Sequence, residues 1–339
     1  MDLQELRLIG MLQGYSSSYL LYTTCEIGLF NTLYHGPRKL AEAAQELKIE
    51  TDLLFRLVRP LISLKLISIE RDRIGLTELG NRLAGEAEKS LEKMVLFCGR
   101  EYMELWSKLH KALKQGTIPY LLREKSEFFE THANSAQKFN EFNDMMQENS
   151  FRLDLHNCSN HIKESDKEIS FVDIGGGSGE ILAKFLHRYP TAKGTIIDMA
   201  HVKKMAVNNI ERLGLSSRCG FIEGDFFDEI PVTGEIYILS RILHDWDDER
   251  AGRILKNVSQ VMNQNSKLLV IERVVPETIN SQNLSYFMND LHIWMICGGK
   301  ERTLKEFSSL MIQAGLRIVS KEDLNDNTSL LEVQLKRHK

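Results

Sequence analysis

Leu, Ile and aromatic residues recur at helical spacing from residue 3 to residue 35, and the run stops at Gly36-Pro37, which punctuates a helix. A second helical pattern, RKLAEAAQELKI, leads into ETDLLFRLVRPLISLKLI. After it, SIERDRIGLTELG alternates apolar and polar positions around a charged turn, as a short hairpin does. Three helices followed by a hairpin have the order of a winged helix. From about residue 100 to residue 165 the spacing is helical again, including EFNDMMQENSFRL, and the polar stretch SNHIKESDKE closes that part. The pattern then becomes strand and helix in alternation, with strands expected at ISFVDI, GTIIDM, CGFIE, EIYILS, KLLVIE, LRIVS and LLEVQL. Such alternation predicts an α/β fold, a doubly wound and largely parallel sheet covered on both faces. The expected organisation is a winged-helix-like region over 1–100, connecting helices over 101–165 and the α/β domain over 166–339.

Composition narrows the partners. A chain of 339 residues, 42% apolar and 27% charged, has room for two domains and a sizeable core. Its net charge of -4 gives no pull toward nucleic acid or an anionic membrane. The winged-helix order invites a DNA-binding reading, but residues 36–82 carry nine Lys/Arg against seven Asp/Glu, and the would-be recognition helix offers only Arg56, Arg59 and Lys65. A groove-reading helix needs a basic face. This one is mostly Leu, Ile, Val and Phe, which packing explains better, within the chain or between subunits. Cys25, Cys98, Cys158, Cys219 and Cys297 form no Cys-x-x-Cys pair, so neither a zinc site nor a disulfide framework is expected, and a reducing cytoplasm is the expected location. The N-terminal MDLQELRLIG has no signal-peptide pattern, and no run of about 18 apolar residues suggests a membrane span.

The chemistry gathers at expected strand ends. FVDIGGGSGE, residues 171–180, is an apolar run that stops at a carboxylate and breaks into a glycine loop. Gly175 and Gly177 match the first two places of the dinucleotide fingerprint, but Glu180 occupies the third, which damages a pyrophosphate reading. Asp173, Gly175, Gly177 and Gly179 instead form acid-x-Gly-x-Gly-x-Gly, an arrangement similar to the first motif of class I S-adenosylmethionine-dependent methyltransferases. That ligand carries an ammonium and a sulfonium and no phosphate, so a carboxylate beside the loop is favourable. Asp198 ends the second expected strand, where an acid accepts both hydroxyls of a ribose. Asp225 follows the third, placed to accept from an adenine amino group while Phe226 lies against the ring. Capping of a following helix is the plainer use of either acid.

The fourth strand runs into SRILHDWDDERAGRIL, which puts His244 at a central strand end, with a capping loop around Asp247 as the alternative account. Glu272 ends the fifth strand, an awkward place for an unpaired carboxylate, and Glu301 follows a glycine pair in CGGKERT. The series DIGGGSGE, IIDMAHV, GDFF, LHDWDDE, VIERVVPE and GGKERTLKEF resembles the two-domain S-adenosylmethionine-dependent O-methyltransferases, the family of the caffeic acid, hydroxyindole and bacterial polyketide enzymes, along nearly the whole chain. The resemblance implies a Rossmann-like methyltransferase sheet, an N-terminal region that forms a homodimer, and S-adenosyl-L-methionine as cofactor. It implies His244 as general base flanked by Glu272 and Glu301, and Asp173, Gly175, Gly177, Asp198, Asp225, Phe226 and Ser240 at the cofactor. Phe142, Met146, Asn289, Asp290, Ile293 and Trp294 fall where the family lines its pocket for a small aromatic acceptor. Ser240 stands where plant members commonly have lysine, and Phe226 where they often have methionine. No metal ligand cluster is visible in the spacing. Rival readings are a family member turned to a non-methylating reaction, a winged-helix regulator that senses a ligand, and a nicotinamide dehydrogenase.

Overall fold

In the computed structural model, residues 2–155, 162 and 169–336 are described. The chain forms two compact units, Met1–Ser107 with Asn140–Glu148, and Lys108–Phe139 with Asn149–Lys339. In the first, the expected N-terminal helical run is two helices, Leu3–Glu26 and Leu29–Tyr34, because Gly28 takes a left-handed φ of 77° and ends the continuity. Helices Leu40–Leu47 and Thr51–Ser63 follow, then the expected hairpin. Strands β1 (Arg38–Lys39), β2 (Ile67–Glu70) and β3 (Arg73–Leu76) form a sheet of order β1-β3-β2, with Ile67 opposite Leu76 and Glu70 opposite Arg73. Leu29, Phe30, Leu54, Val58, Leu61 and Ile74 make its core, so one face of the Thr51–Ser63 helix packs inward.

The second unit holds the seven strands expected of the α/β part, β4 (Ser170–Ile174), β5 (Lys193–Asp198), β6 (Cys219–Glu223), β7 (Ile236–Ser240), β8 (Lys267–Val275), β10 (Leu316–Asp323) and β11 (Thr328–Leu335), and a short β9 (Arg302–Thr303) that was not expected. The order is β10-β11-β8-β7-β4-β5-β6, with the short β9 paired to β8. Pairing is parallel from β6 through β8, and β11 closes antiparallel on β8. Alternation along the strands sends Phe171, Ile196, Ile238 and Leu269 to a core that also holds Ile181 and Leu182 of helix Glu180–Arg188 and Ile210 of helix Lys203–Arg212. Val172, Ile174, Tyr237, Leu268 and Val270 point the other way, with Ile254 and Leu255 of helix Asp248–Val261 and Phe307 of helix Leu304–Gln313. Both faces are therefore covered, which is why β7 and residues 268–271 of β8 read as apolar runs and β4 is apolar from Phe171 to Ile174 except at Asp173. The strand order reverses at β4, with β5 on one side and β7 on the other, so the crevice at their carboxyl ends is the expected ligand position of an open α/β sheet.

Among the described residues no helix is long and apolar enough to cross a membrane. Cys25, Cys98, Cys219 and Cys297 are free thiols, and Cys158 lies outside the described residues.

Candidate active site

The glycine loop leaves β4 at the switch point. Gly175 has φ 69°, its amide donates to the Ile197 carbonyl at 2.8 Å, and an added Cβ would come 2.5 Å from Ile242 Cδ1. Only glycine takes that left-handed backbone so close to the neighbouring strand end. Glu180, in the place of the fingerprint's third glycine, is buried and accepts from Asn209 Nδ2 at 3.2 Å, tying together the two helices on that face.

Three acids surround the loop. Asp198 ends β5, and its two carboxylate oxygens accept from Gly177 N at 2.8 Å and Met199 N at 2.7 Å, which leaves a lone pair on each. Asp173 is buried, and its Oδ2 has no hydrogen-bond donor. Burial and the Asp198 charge push its carboxyl up to about 7. A cationic ligand beside the loop would satisfy that orphaned oxygen and keep the acid ionised. Asp225 accepts from Phe227 N at 2.8 Å, a turn-forming bond, and is half-buried. Phe226 lies 6.1 Å from Trp246, ring centre to ring centre, and Phe227 lies 4.8 Å from it, so an aromatic wall stands between the Asp225 turn and the His244 loop. Ser240, the last residue of β7, is half-buried.

His244 sits on a short turn just after β7 and is 7% exposed, against the surface position that a capping loop alone would give it. Asp247 does cap, accepting from Arg250 N at 2.8 Å to start the helix Asp248–Val261. His244 Nδ1 lies 3.2 Å from Glu301 Oε1 and 3.5 Å from Glu272 Oε2, both acids being buried. Its Nε2 lies 3.4 Å from Asp245 Oδ1. Glu272 Oε1 accepts from the amides of Ile242 (3.0 Å) and Leu243 (2.8 Å), so this carboxylate fixes both the imidazole and the backbone that carries it. Burial drives the imidazole toward neutrality, but Glu272, Asp245 and Glu301 outweigh it and raise His244 to about 10. Burial in turn raises Asp245 to about 7.

Among the described residues, His244, Glu272 and Glu301 also bring three metal-ligand atoms within 4.8 Å of one another, a cluster invisible in the sequence spacing. The donors in place there are an imidazole, backbone amides and the Asn289 side chain, which suits a shared proton.

The helix Leu284–Cys297 supplies that Asn289 and, beside it, Asp290, which accepts from Glu301 N at 2.9 Å. Two residues expected only to line a pocket thus orient Glu301. Ile293 and Trp294 are half-buried on the same helix. Phe142 and Met146 are half-buried on the helix Ala136–Arg152 and belong to the first unit, where Phe142 packs 5.9 Å from Phe97. In the second unit a cavity of about 280 Å³ opens beside Asp245, lined by Ile118, Phe129, Trp246, Arg250 and Cys297 among others.

Sequence reasoning missed Arg302. It is wholly buried and donates to the carbonyls of Leu243 (2.7 Å), Lys300 (3.2 Å) and Trp246 (2.8 Å) and to Asp248 Oδ1 (2.8 Å). It therefore clamps the backbone on both sides of His244. In the sequence it is one cation in the polar run GGKERT, and only the pairing of β9 with β8 carries it inward.

The model of a family described as the O-methyltransferase domain matches residues 106–317. A phenazine O-methyltransferase of Lysobacter antibioticus is 28% identical over 92% of this chain and 90% of its own length. A phenazine-1-carboxylate N-methyltransferase of Pseudomonas aeruginosa is 27% identical over 96% of this chain and 95% of its own. Among solved structures, an O-methyltransferase from neocarzinostatin biosynthesis, in complex with S-adenosylmethionine and 2-hydroxy-5-methyl naphthoic acid, superimposes with a TM-score of 0.79 at 26% identity, covering 94% of this chain and 96% of that one.

Proposed function

Because the chain belongs to the S-adenosylmethionine-dependent O-methyltransferase family, we propose that it methylates a hydroxyl, phenolic in character, on a small aromatic metabolite, with His244 as general base. The observation that carries this reading is the buried imidazole held through Nδ1 by Glu301 at 3.2 Å and Glu272 at 3.5 Å, so that Nε2, with Asp245 at 3.4 Å, is the nitrogen that takes the acceptor's proton once the ring is neutral. A phenol with a pKa near 10 is a poor nucleophile at neutral pH, and a positioned base contributes about a hundred- to ten-thousand-fold. A ring nitrogen already offers a lone pair and needs no such base. The built imidazole–carboxylate group therefore favours oxygen as the acceptor, although a relative named for N-methylation exists.

Bound S-adenosylmethionine supplies an electrophilic methyl group. The chain's own residues hold and align: Asp198 takes the ribose hydroxyls, Asp225 and Phe226 take the adenine, and Asp173 with the Gly175–Gly177 loop takes the cationic end beside Ser240. Phe142, Met146, Asn289, Asp290, Ile293 and Trp294 serve the acceptor, with Asn289 and Asp290 acting through Glu301. The enzyme works in the cytoplasm as a homodimer built through residues 1–100, a reading supported by its free thiols and by the exposed apolar N-terminal helix.

The test is release of S-adenosylhomocysteine from a panel of hydroxylated aromatics. His244→Gln is expected to lower kcat by about a hundredfold or more while leaving calorimetric affinity for S-adenosylhomocysteine within about twofold. Wild-type turnover is expected to persist in EDTA, whereas a metal held by His244, Glu272 and Glu301 would make it collapse. Full turnover by His244→Gln at pH 7 would overturn the assignment of the base.

A further inference from the structure

A second cavity opens in the α/β unit where β8 runs on beyond the stretch paired with β7, and at about 440 Å³ it is larger than the 280 Å³ cavity beside Asp245. None of the residues that line it holds His244 or serves the cofactor. Val274 and Val275, paired with Arg302 and Thr303 of β9, give it an apolar base together with Leu304, the first residue of the following helix. The turn between β10 and β11 meets the first turn of the helix Leu284–Cys297 there, tied by Asn327 Nδ2 donating to Ser285 Oγ at 3.3 Å, and the two turns bring Asn327 and Tyr286 to the lining. Strands and a helix start therefore fix the lining, and the volume is that of a small-molecule site.

The charges decide what fits. Lys321 and Asp323 form an ion pair, and Asp323 Oδ1 also accepts from the Ser329 hydroxyl at 2.7 Å, two contacts that hold its carboxyl below the usual range. That pair is satisfied and neutral overall. Glu277, exposed at the rim, makes no hydrogen bond or ion pair among the described residues, and neither does the half-buried Tyr286. The lining thus keeps an uncompensated negative charge and an open aromatic ring above an apolar base. Leu304 is 38% exposed, and Ile279 (84%) and Leu284 (58%), between Glu277 and Tyr286 in the chain or next to them, also stand in water. We propose that this cavity binds a primary amine with a compact apolar body, its ammonium at Glu277 and the Tyr286 ring and its body against Val274, Val275 and Leu304. A carboxylate and an aromatic face each attract an ammonium, and covering exposed apolar surface is favourable. An anionic ligand is opposed by Glu277, while Lys321 is already neutralised by Asp323. The site needs no part of the methyl-transfer chemistry.

Saturation-transfer NMR titration of the full chain tests this with 2-cyclohexylethylamine, 3-cyclohexylpropionate and 2-cyclohexylethanol, which share the apolar body and differ in charge. The amine is expected to bind about tenfold more tightly than the acid and about threefold more tightly than the alcohol. Glu277→Gln, at an exposed position where folding is not at stake, is expected to weaken the amine by about fivefold and to leave the alcohol within about twofold. Tyr286→Leu is expected to weaken the amine by about threefold. Saturating S-adenosylhomocysteine is expected to leave the amine's dissociation constant within about twofold, because the two sites share no lining residue. Absence of saturable amine binding below about 10 mM would overturn the proposal. So would an acid or alcohol bound as tightly as the amine, an affinity for the amine indifferent to Glu277→Gln, or displacement of the amine by S-adenosylhomocysteine.

Discussion

At the scale of single residues, the charge around His244 has a measurable sign. Three carboxylates hold the imidazole up to about 10, so the protonated form prevails in the free enzyme at neutral pH. A base must be deprotonated to act, and kcat/KM should therefore climb with pH, by about tenfold per unit, between 7 and the apparent pKa of the group. Ionisation of a phenolic acceptor gives a similar limb, and Asp245→Asn tells the two apart. Removing a carboxylate 3.4 Å from Nε2 disfavours the imidazolium, lowers the pKa and moves the limb to lower pH. A limb that stays in place under Asp245→Asn belongs to the acceptor, not to His244. Much of this group was legible in the sequence, since apolar runs lead to all three acids and bases: Asp198 ends β5 and His244 follows β7 on a short turn, whereas Glu272, expected at the end of its strand, lies inside β8, which pairs on to Val275. Glu301 could be located only through motif resemblance. Asp245 and Arg302 could not be read at all, because a carboxylate next to a histidine and an arginine in a polar run look like ordinary surface until the backbone turns them inward.

The loop from Leu243 to Asp247 shows the same division at the scale of elements. The strands that carry it were readable because β7 and residues 268–271 of β8 are buried on both faces and so run without a charged residue. What sets the loop's shape was not readable, because it comes from a segment more than 50 residues away. Lys300 N donates to the His244 carbonyl at 2.8 Å, and a Cβ on Gly299 would lie 2.0 Å from that same oxygen. Gly299→Ala must therefore push the two backbones apart, with no flexible side chain to give way. Arg302→Met would strip the carbonyls of Leu243, Lys300 and Trp246 of a buried donor, at a cost of about 3 to 5 kcal/mol. Both variants are expected to lower the midpoint of urea unfolding, and Gly299→Ala, where still folded, to reduce kcat more than it raises KM, because it displaces the base. Wild-type kcat in folded Gly299→Ala would show that His244 tolerates movement of its loop and would count against its role.

For the whole molecule, the question is what covers the first helix. Leu3–Glu26 buries only Thr24 and Cys25, while Leu3 (85%), Leu8 (66%), Leu12 (73%) and Tyr15 (66%) stand exposed along its first four turns. A long helix with so much apolar surface in water is unfavourable by about 25 cal/mol per Å², and contiguous patches of this kind mark interaction sites. Its charge gives no reason to expect a nucleic acid or membrane occupant, since the helix carries a single arginine, Arg7, and two glutamates, Glu5 and Glu26. A second copy of the chain is the occupant we infer, and a symmetric dimer of ordinary size buries about 1,600 Å² in total, within reach of two such helices. Light scattering on the full chain should give twice the chain mass at micromolar concentration. Leu8→Glu with Leu12→Glu removes two leucines per subunit from the inferred interface and sets charges in their place. At about 1.5 to 3 kcal/mol per leucine, the dissociation constant should rise by two or more orders of magnitude. The pair of substitutions should leave the circular dichroism of the α/β unit unchanged, because neither residue belongs to its cores. A monodisperse wild-type monomer, or a dimer indifferent to both charges, would show that this helix is covered by something else.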